Sequence, residues 1–251
     1  METPYRNPTL SLTKKEQQLI SKCPLILFGA DVGSAMAECA LRLGFEHMTI
    51  LDDGHVTASD LDSQNYCLSD IGTSKAMALK NRLLSINNNA HITEHDFIPK
   101  PKEALTYIKG HKIAINTFND ASHTPSAFNT LCKEQGIPVV HPYNLGWGGL
   151  ITIVMPYGPS LDFLGKGNTE SYLATMLTYV SGYLKFWGNS PYQVQEMLER
   201  YTLGKGSLGS PPLSIASWMV AAKCTHLLFN IATGKPVKKF PDFYLTTSMD
   251  L

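Results

Sequence analysis

Between residues 25 and 155 short apolar runs alternate with helix-patterned segments of about ten residues, and this alternation narrows the fold more than any other feature. The run Leu25–Phe28 is apolar throughout and bounded by Pro24 and Gly29, as suits a strand buried on both faces. A small-residue segment from Gly33 predicts a helix that stops at Gly44. Residues 48–52 form a second apolar run ending in acid, and a polar connection at 53–72 leads into a helix over 74–86. A weaker alternating strand at 91–96, a short helix over 102–108 and a strand at 113–117 follow. A helix over 126–135 closed by Gly136 comes next, then strands at 138–141 and 151–155. Strands separated by single helices need right-handed crossovers, so the expected fold class is α/β with a mostly parallel sheet. After Pro156 the pattern turns helical, over 169–186, 191–201 and 213–231, with a Gly/Ser/Pro-rich linker at 203–212. The whole chain, 1–251, is read as one domain with a late helical insertion at about 160–210.

Composition removes several classes of function. Lys+Arg and Asp+Glu each number 21, whereas a nucleic-acid or anionic-membrane partner calls for a basic excess. Cys23, Cys39, Cys67, Cys132 and Cys224 contain no C-x-x-C pair and are odd in number, which disfavours a zinc site or a disulfide framework. A reducing compartment, the cytoplasm, is therefore expected. The first residues, Met-Glu-Thr-Pro-Tyr-Arg-Asn, are polar and unlike a signal peptide. The most apolar long stretch, 213–231, carries Lys223 and His226 and is expected to be a buried helix of a soluble protein, with no membrane partner.

An open parallel sheet binds ligands at the carboxyl ends of its strands. The first such crevice is the turn from Phe28 to Ser34, where Gly29, Ala30 and Gly33 lead into a helix N-terminus that can seat phosphate. Asp52 ends the second strand, where a carboxylate can accept hydrogen bonds from a ribose. On these residues alone two other readings stay open. One is a tight βα turn whose Asp binds nothing, and the other is an NAD-dependent oxidoreductase.

The order of features downstream adds weight. Asp52-Asp-Gly-His-Val56-Thr-Ala-Ser59-Asp60-Leu61-Asp-Ser-Gln64 is followed by Asp70-Ile-Gly72-Thr-Ser-Lys75-Ala76. Upstream lie Tyr5-Arg6-Asn7 and Leu12-Thr-Lys-Lys-Glu-Gln17. Downstream lie Asn119-Asp120 with Asn129 and Cys132, then Gly136-Ile-Pro-Val-Val-His141, Gly146-Trp-Gly-Gly149 and Pro211-Pro-Leu-Ser-Ile-Ala. The set resembles the ThiF/MoeB/HesA family, ATP-dependent adenylyltransferases related to ubiquitin-activating enzymes. That family reads roughly D-x-D-x-V-x-x-S-N-L-N-R-Q, then D-I-G-x-x-K-A. The likeness covers about residues 5–156 and 211–247.

The resemblance implies a Rossmann-like, doubly wound sheet with helices on both faces, and ATP and magnesium as cofactors. In the family a carboxylate, usually the C-terminus of a small ubiquitin-like protein, attacks the α-phosphate to give an acyl-adenylate and pyrophosphate. Carried over, Asp52 would hold the ribose, with Gly29, Ala30, Gly33 and Gln64 around the nucleotide. Lys75 would contact the phosphates, and Asp120 would ligate magnesium. Arg6 would reach across the interface of a homodimer, or of a heterodimer with a family paralogue. Cys132, on an apolar helix face, is expected in the core.

The departures from the pattern gather at the ATP site. Phe28, Ala30 and Gly33 stand at the three glycine positions, and Asp31 brings a negative charge into the loop. The family's N-L-N-R-Q is Asp60-Leu-Asp62-Ser63-Gln64 here, so the catalytic arginine is a serine. Pro125 replaces a usual arginine, Gly54 replaces the second aspartate, and residues 157–212 hold no cysteine for a thioester. The expectation is an adenylyltransferase-family protein with a partly degenerate ATP site. The alternative is a non-catalytic binding or scaffold subunit of such an enzyme.

Overall fold

The computed structural model describes residues 12–118, 124–164, 172–187 and 212–248. Among them run strands β1 (Leu25–Phe28), β2 (His47–Leu51), β3 (His91–His95), β4 (Ile113–Asn116), β5 (Val139–Asn144), β6 (Gly148–Val154) and β7 (Tyr244–Thr247). The helices are α1 (Lys14–Ser21), α2 (Asp31–Leu43), α3 (Lys75–Ile86), α4 (Pro101–Ile108), α5 (Thr124–Glu134), α6 (Tyr172–Trp187) and α7 (Ser214–Thr233). The sheet order is β3-β2-β1-β4-β5-β6-β7. The pairings from β3 through β5 are parallel, and β6 and β7 are added antiparallel. The strands run outward one way from β1 to β3 and the other way from β4 onward, so the order of addition reverses between β1 and β4. That switch point opens a crevice beyond the carboxyl ends of these two strands.

Burial on both faces explains the apolar runs. Leu25, Leu27, Ile113 and Ile115 point into a core shared with α2, α3 and α7. Ile26, Phe28, Leu51 and Ala114 point to the other face, onto Ala104 and Ile108 of α4 and Phe128 and Cys132 of α5. Phe28 stacks on Phe128, ring centroids 4.1 Å apart, so the bulk at the first turn serves this core. Beneath α6 the same face continues with Tyr143, Leu150 and Val154. Helix α7 is the one described helix long and apolar enough to span a membrane, yet half of its apolar stretch is buried and it packs on α1, α2 and the sheet.

Several boundaries differ from the sequence reading. Helix α2 starts at Asp31 rather than Gly33, which puts that carboxylate in the first turn. Strand β6 starts at Gly148, because Gly149 continues the pairing opposite Asn144 and Gly148 pairs with Thr247 of β7. A Cβ on Gly149 would overlap the Val220 side chain, so this glycine lets α7 lie directly on the sheet. The helix expected over 191–201 and the linker at 203–211 lie outside the described residues.

Candidate functional site

The crevice begins where β1 ends. Gly29 has φ +99°, its N–H donates to the Leu51 carbonyl at 2.9 Å, and a Cβ there would overlap the Thr117 hydroxyl. Only glycine satisfies both the backbone and the close approach. Gly33 lies one turn further, in ordinary contact distance of Thr117 and Leu27. Ala30 precedes α2 without a side-chain cap.

Asp52, 5% exposed, is fixed by two backbone donors: the Ala30 N–H at 2.6 Å and the Gly54 N–H at 2.7 Å, one to each oxygen. Burial raises its pKa, and the two N–H donors only partly offset that. The carboxylate thus ties the end of β2 to the start of α2. Each oxygen keeps a lone pair on which a ribose hydroxyl could bond.

Lys75 opens α3, and its ammonium bonds Asp31 Oδ1 at 2.5 Å and Asp60 Oδ1 at 3.0 Å. Burial works against the charge, but the two carboxylates outweigh it and raise the lysine pKa. Asp60 is itself held. Its Oδ2 accepts from the Thr57 N–H at 2.7 Å and the Thr57 hydroxyl at 2.8 Å, and its Oδ1 also takes Gln64 Nε2 at 2.7 Å. Burial of Asp60 would raise its pKa, yet Thr57 and Lys75 prevail and lower it. Asp31 is different, with a side chain 60% exposed. The negative charge that Asp31 brings to the loop is thus partly solvated and paired with Lys75.

The remaining site residues follow. Gln64 lies beside Asp60, and its Oε1 is buried without a hydrogen-bond partner. Ser63, at the arginine position, is 6% exposed, while Asp62 is exposed. Asp70 caps a short 3-10 turn through the Cys67 N–H at 2.9 Å, and Gly72 has φ +85°. Arg6 and Asp120 lie outside the described residues. Among the described residues no cluster of three or more His, Cys, Asp or Glu could hold a metal ion.

Sequence reasoning passed over the groups that pin the 53–72 connection. The Tyr66 hydroxyl donates to the Ala30 carbonyl at 2.9 Å, and the Asn65 N–H to Ser34 Oγ at 3.0 Å. Buried Glu38 accepts from Asn65 Nδ2 and Arg82 Nε, both at 2.5 Å, and from Arg42 Nε at 2.8 Å. Burial opposes the Glu38 charge, but these donors outweigh it and hold its pKa below the usual range. Nothing local marks Tyr66 or Asn65, because their partners lie 36 and 31 residues away.

A model of the ThiF family matches residues 5–249. The chain belongs to the ThiF family. Among curated relatives, this ThiF-family chain is 22% identical over 143 residues to the SAMP-activating enzyme E1 of Haloferax volcanii, covering 57% of the chain and 53% of that protein. It is 27% identical over 130 residues to the tRNA threonylcarbamoyladenosine dehydratase of Escherichia coli, covering 51% and 48%. The match thus spans about half the length of either relative. Among solved structures, PaaA superposes with a TM-score of 0.67 at 16% identity, covering 94% of this chain and 64% of that one. E. coli MccB with ATP gives 0.65 at 12% identity, covering 88% and 60%. At such identities the structural likeness speaks for the Rossmann-like fold alone.

Proposed function

We propose that this chain is a ThiF-family protein that no longer forms adenylates by itself and serves as the binding or scaffold subunit of an E1-like assembly. The observation that carries this reading is the double pairing of Lys75 with Asp31 and Asp60. The lysine suited to phosphate is already neutralised, and buried Ser63 has no charge to offer. Asp31, Asp52 and Asp60 face one ammonium, a formal excess of two negative charges. At an effective dielectric of about 20, like charges about 4 Å apart repel by roughly 4 kcal/mol before screening. Asp52 and the turn at Gly29 suit a nucleoside; the acids beside them do not suit a polyphosphate. By the family pattern Asp120 would hold the magnesium that accompanies ATP, and the nucleotide would supply the α-phosphate for adenylation.

The proposed assembly is a homodimer, or a heterodimer with a catalytically complete paralogue, built with Arg6 near the interface. Its acyl substrate would be the C-terminal carboxylate of a small ubiquitin-like protein or peptide. All five cysteines are free thiols, which supports a reducing compartment, the cytoplasm. One observation favours a second reading, an active enzyme: Asp31 is exposed, so its pair with Lys75 is screened and worth only about 1 kcal/mol. A partner's arginine could then complete the clamp.

ATP–pyrophosphate exchange, with and without a carboxylate-ended peptide, separates the two. Exchange at background level is expected, in a protein that light scattering finds dimeric at micromolar concentration. Brisk exchange by the isolated chain sinks the scaffold reading, and a strictly monomeric species sinks the assembly.

A further inference from the structure

Far from the crevice, at the β7 edge of the sheet, the segment after α7 and β7 itself surround an open cavity of about 610 Å³. Its walls are Pro236, Val237, Lys238, Lys239, Asp242 and Tyr244. The Lys223 ammonium, reaching from α7, lies 5.0 Å from the Tyr244 ring centroid, and that of Lys238 lies 5.7 Å from it. The tyrosine is fixed in turn: its hydroxyl oxygen accepts the Lys238 N–H at 2.5 Å, and its backbone is in register with Ile151 of β6. A π face attracts ammonium groups, so the ring gathers two cations at one wall. Lys75, Lys80 and Lys235 each pair with a carboxylate, whereas Lys223, Lys238 and Lys239 make no ion pair among the described residues. Asp242 is the one acid in the lining, against two lysines, Lys238 and Lys239, with Lys223 behind the Tyr244 ring.

We propose that this cavity is a second ligand site, one that takes a small phosphate-bearing anion. Lysine ammoniums, as compact point charges with rotatable donors, suit phosphate oxygens. The site lies three strands from β4 and shares no residue with the crevice, so it stands whether or not the crevice binds nucleotide.

Isothermal titration of the full chain with sodium pyrophosphate, and with citrate at matched ionic strength, tests the assignment. Pyrophosphate should bind saturably and at least tenfold more tightly than citrate. The surface double variant K238Q/K239Q should weaken pyrophosphate at least tenfold, whereas Lys75→Ala should leave it unchanged. Four results each overturn the proposal: no saturable binding, citrate as tight as pyrophosphate, affinity that survives K238Q/K239Q, or affinity that is lost in Lys75→Ala.

Discussion

A single carboxylate, Asp60, shows how a residue can keep a fold and spoil a reaction. It caps the short 3-10 turn over Ala58–Asp62 through Thr57 and neutralises Lys75, the residue that the family pattern assigns to phosphate. Asparagine there can still accept from the Thr57 N–H but brings no charge. Replacing Asp31 by Gly, Asp60 and Asp62 by Asn, and Ser63 by Arg together should therefore free Lys75 and add a cation. Magnesium-ATP should bind at least tenfold more tightly, about 1.4 kcal/mol, by titration calorimetry; unchanged affinity would show that these acids do not govern the crevice. His141 makes a separate residue-scale case. It is 2% exposed, its Nε2 has no hydrogen-bond partner, and burial lowers its pKa to about 3. A base depressed on folding takes up its proton more readily when unfolded. The native state therefore loses stability as pH falls below about 6.5, by at most about 1.4 kcal/mol per unit until the folded value is reached. His111, also lowered by burial, adds a smaller loss of the same sign. Glu38 and Asp60, lowered acids, give up theirs only below the ordinary carboxylate range. Urea midpoints of His141→Leu should fall less than those of wild type between pH 6.5 and 4.5. Parallel pH profiles for the two proteins would refute the assignment.

At the scale of elements, the central strands were legible because burial on both faces demands continuous apolar runs, and Leu25–Phe28 is buried along its whole length, whereas half-buried β7 offers no such run. The start of α2 was not, since Ala30 carries no capping side chain and Asp31 reads equally as loop or first turn. Gly149 looks like a turn residue until Val220 of α7 is seen pressing on it. At the candidate site, the positions of Asp52, Gln64 and Lys75 could be read from pattern, but their partners could not. Lys75 meets Asp31 across 44 positions and Asp60 across 15, distances at which only the completed crossover brings side chains together. The connection at 53–72 shows the same dependence. It holds only short 3-10 turns, at Ala58–Asp62 and Leu68–Asp70, and it is fastened to α2 by Tyr66 and Asn65. Tyr66→Phe removes the bond to the Ala30 carbonyl while keeping the ring. It should lower global stability by about 1 kcal/mol. Limited proteolysis within 53–72 should quicken at the same time, since local opening no longer breaks that bond. Cleavage at the wild-type rate would mean that the hydroxyl does not hold the connection.

For the whole molecule the question is whether the parallel half and the antiparallel extension form one folding unit. Helix α7 joins them. Val220, Ala221, Cys224, Leu227 and Leu228 share a single core with α2, β1 and β2, while the same helix contacts β5, β6 and β7. Gly149 is the point of closest approach, where a Cβ would overlap Val220 and come within 3.0 Å of the Tyr143 carbonyl oxygen. Overpacking a close-packed interior typically costs about 1–3 kcal/mol. Gly149→Ala should accordingly lower the urea midpoint without changing the slope, which would mean a less stable but equally cooperative unit. Val220→Ala alone leaves a gap and is also destabilising, but combined with Gly149→Ala it removes the overlap. The double variant should then be more stable than the sum of the two losses requires, by about 0.5–3 kcal/mol of coupling. Two probes check cooperativity: far-ultraviolet circular dichroism for the whole chain, and tryptophan fluorescence, to which Trp147 beside β6 and Trp218 in α7 contribute. Coincident transitions in all four proteins are expected of one unit. If Gly149→Ala instead separates the two transitions, the antiparallel extension unfolds on its own, and α7 does not bind the halves together.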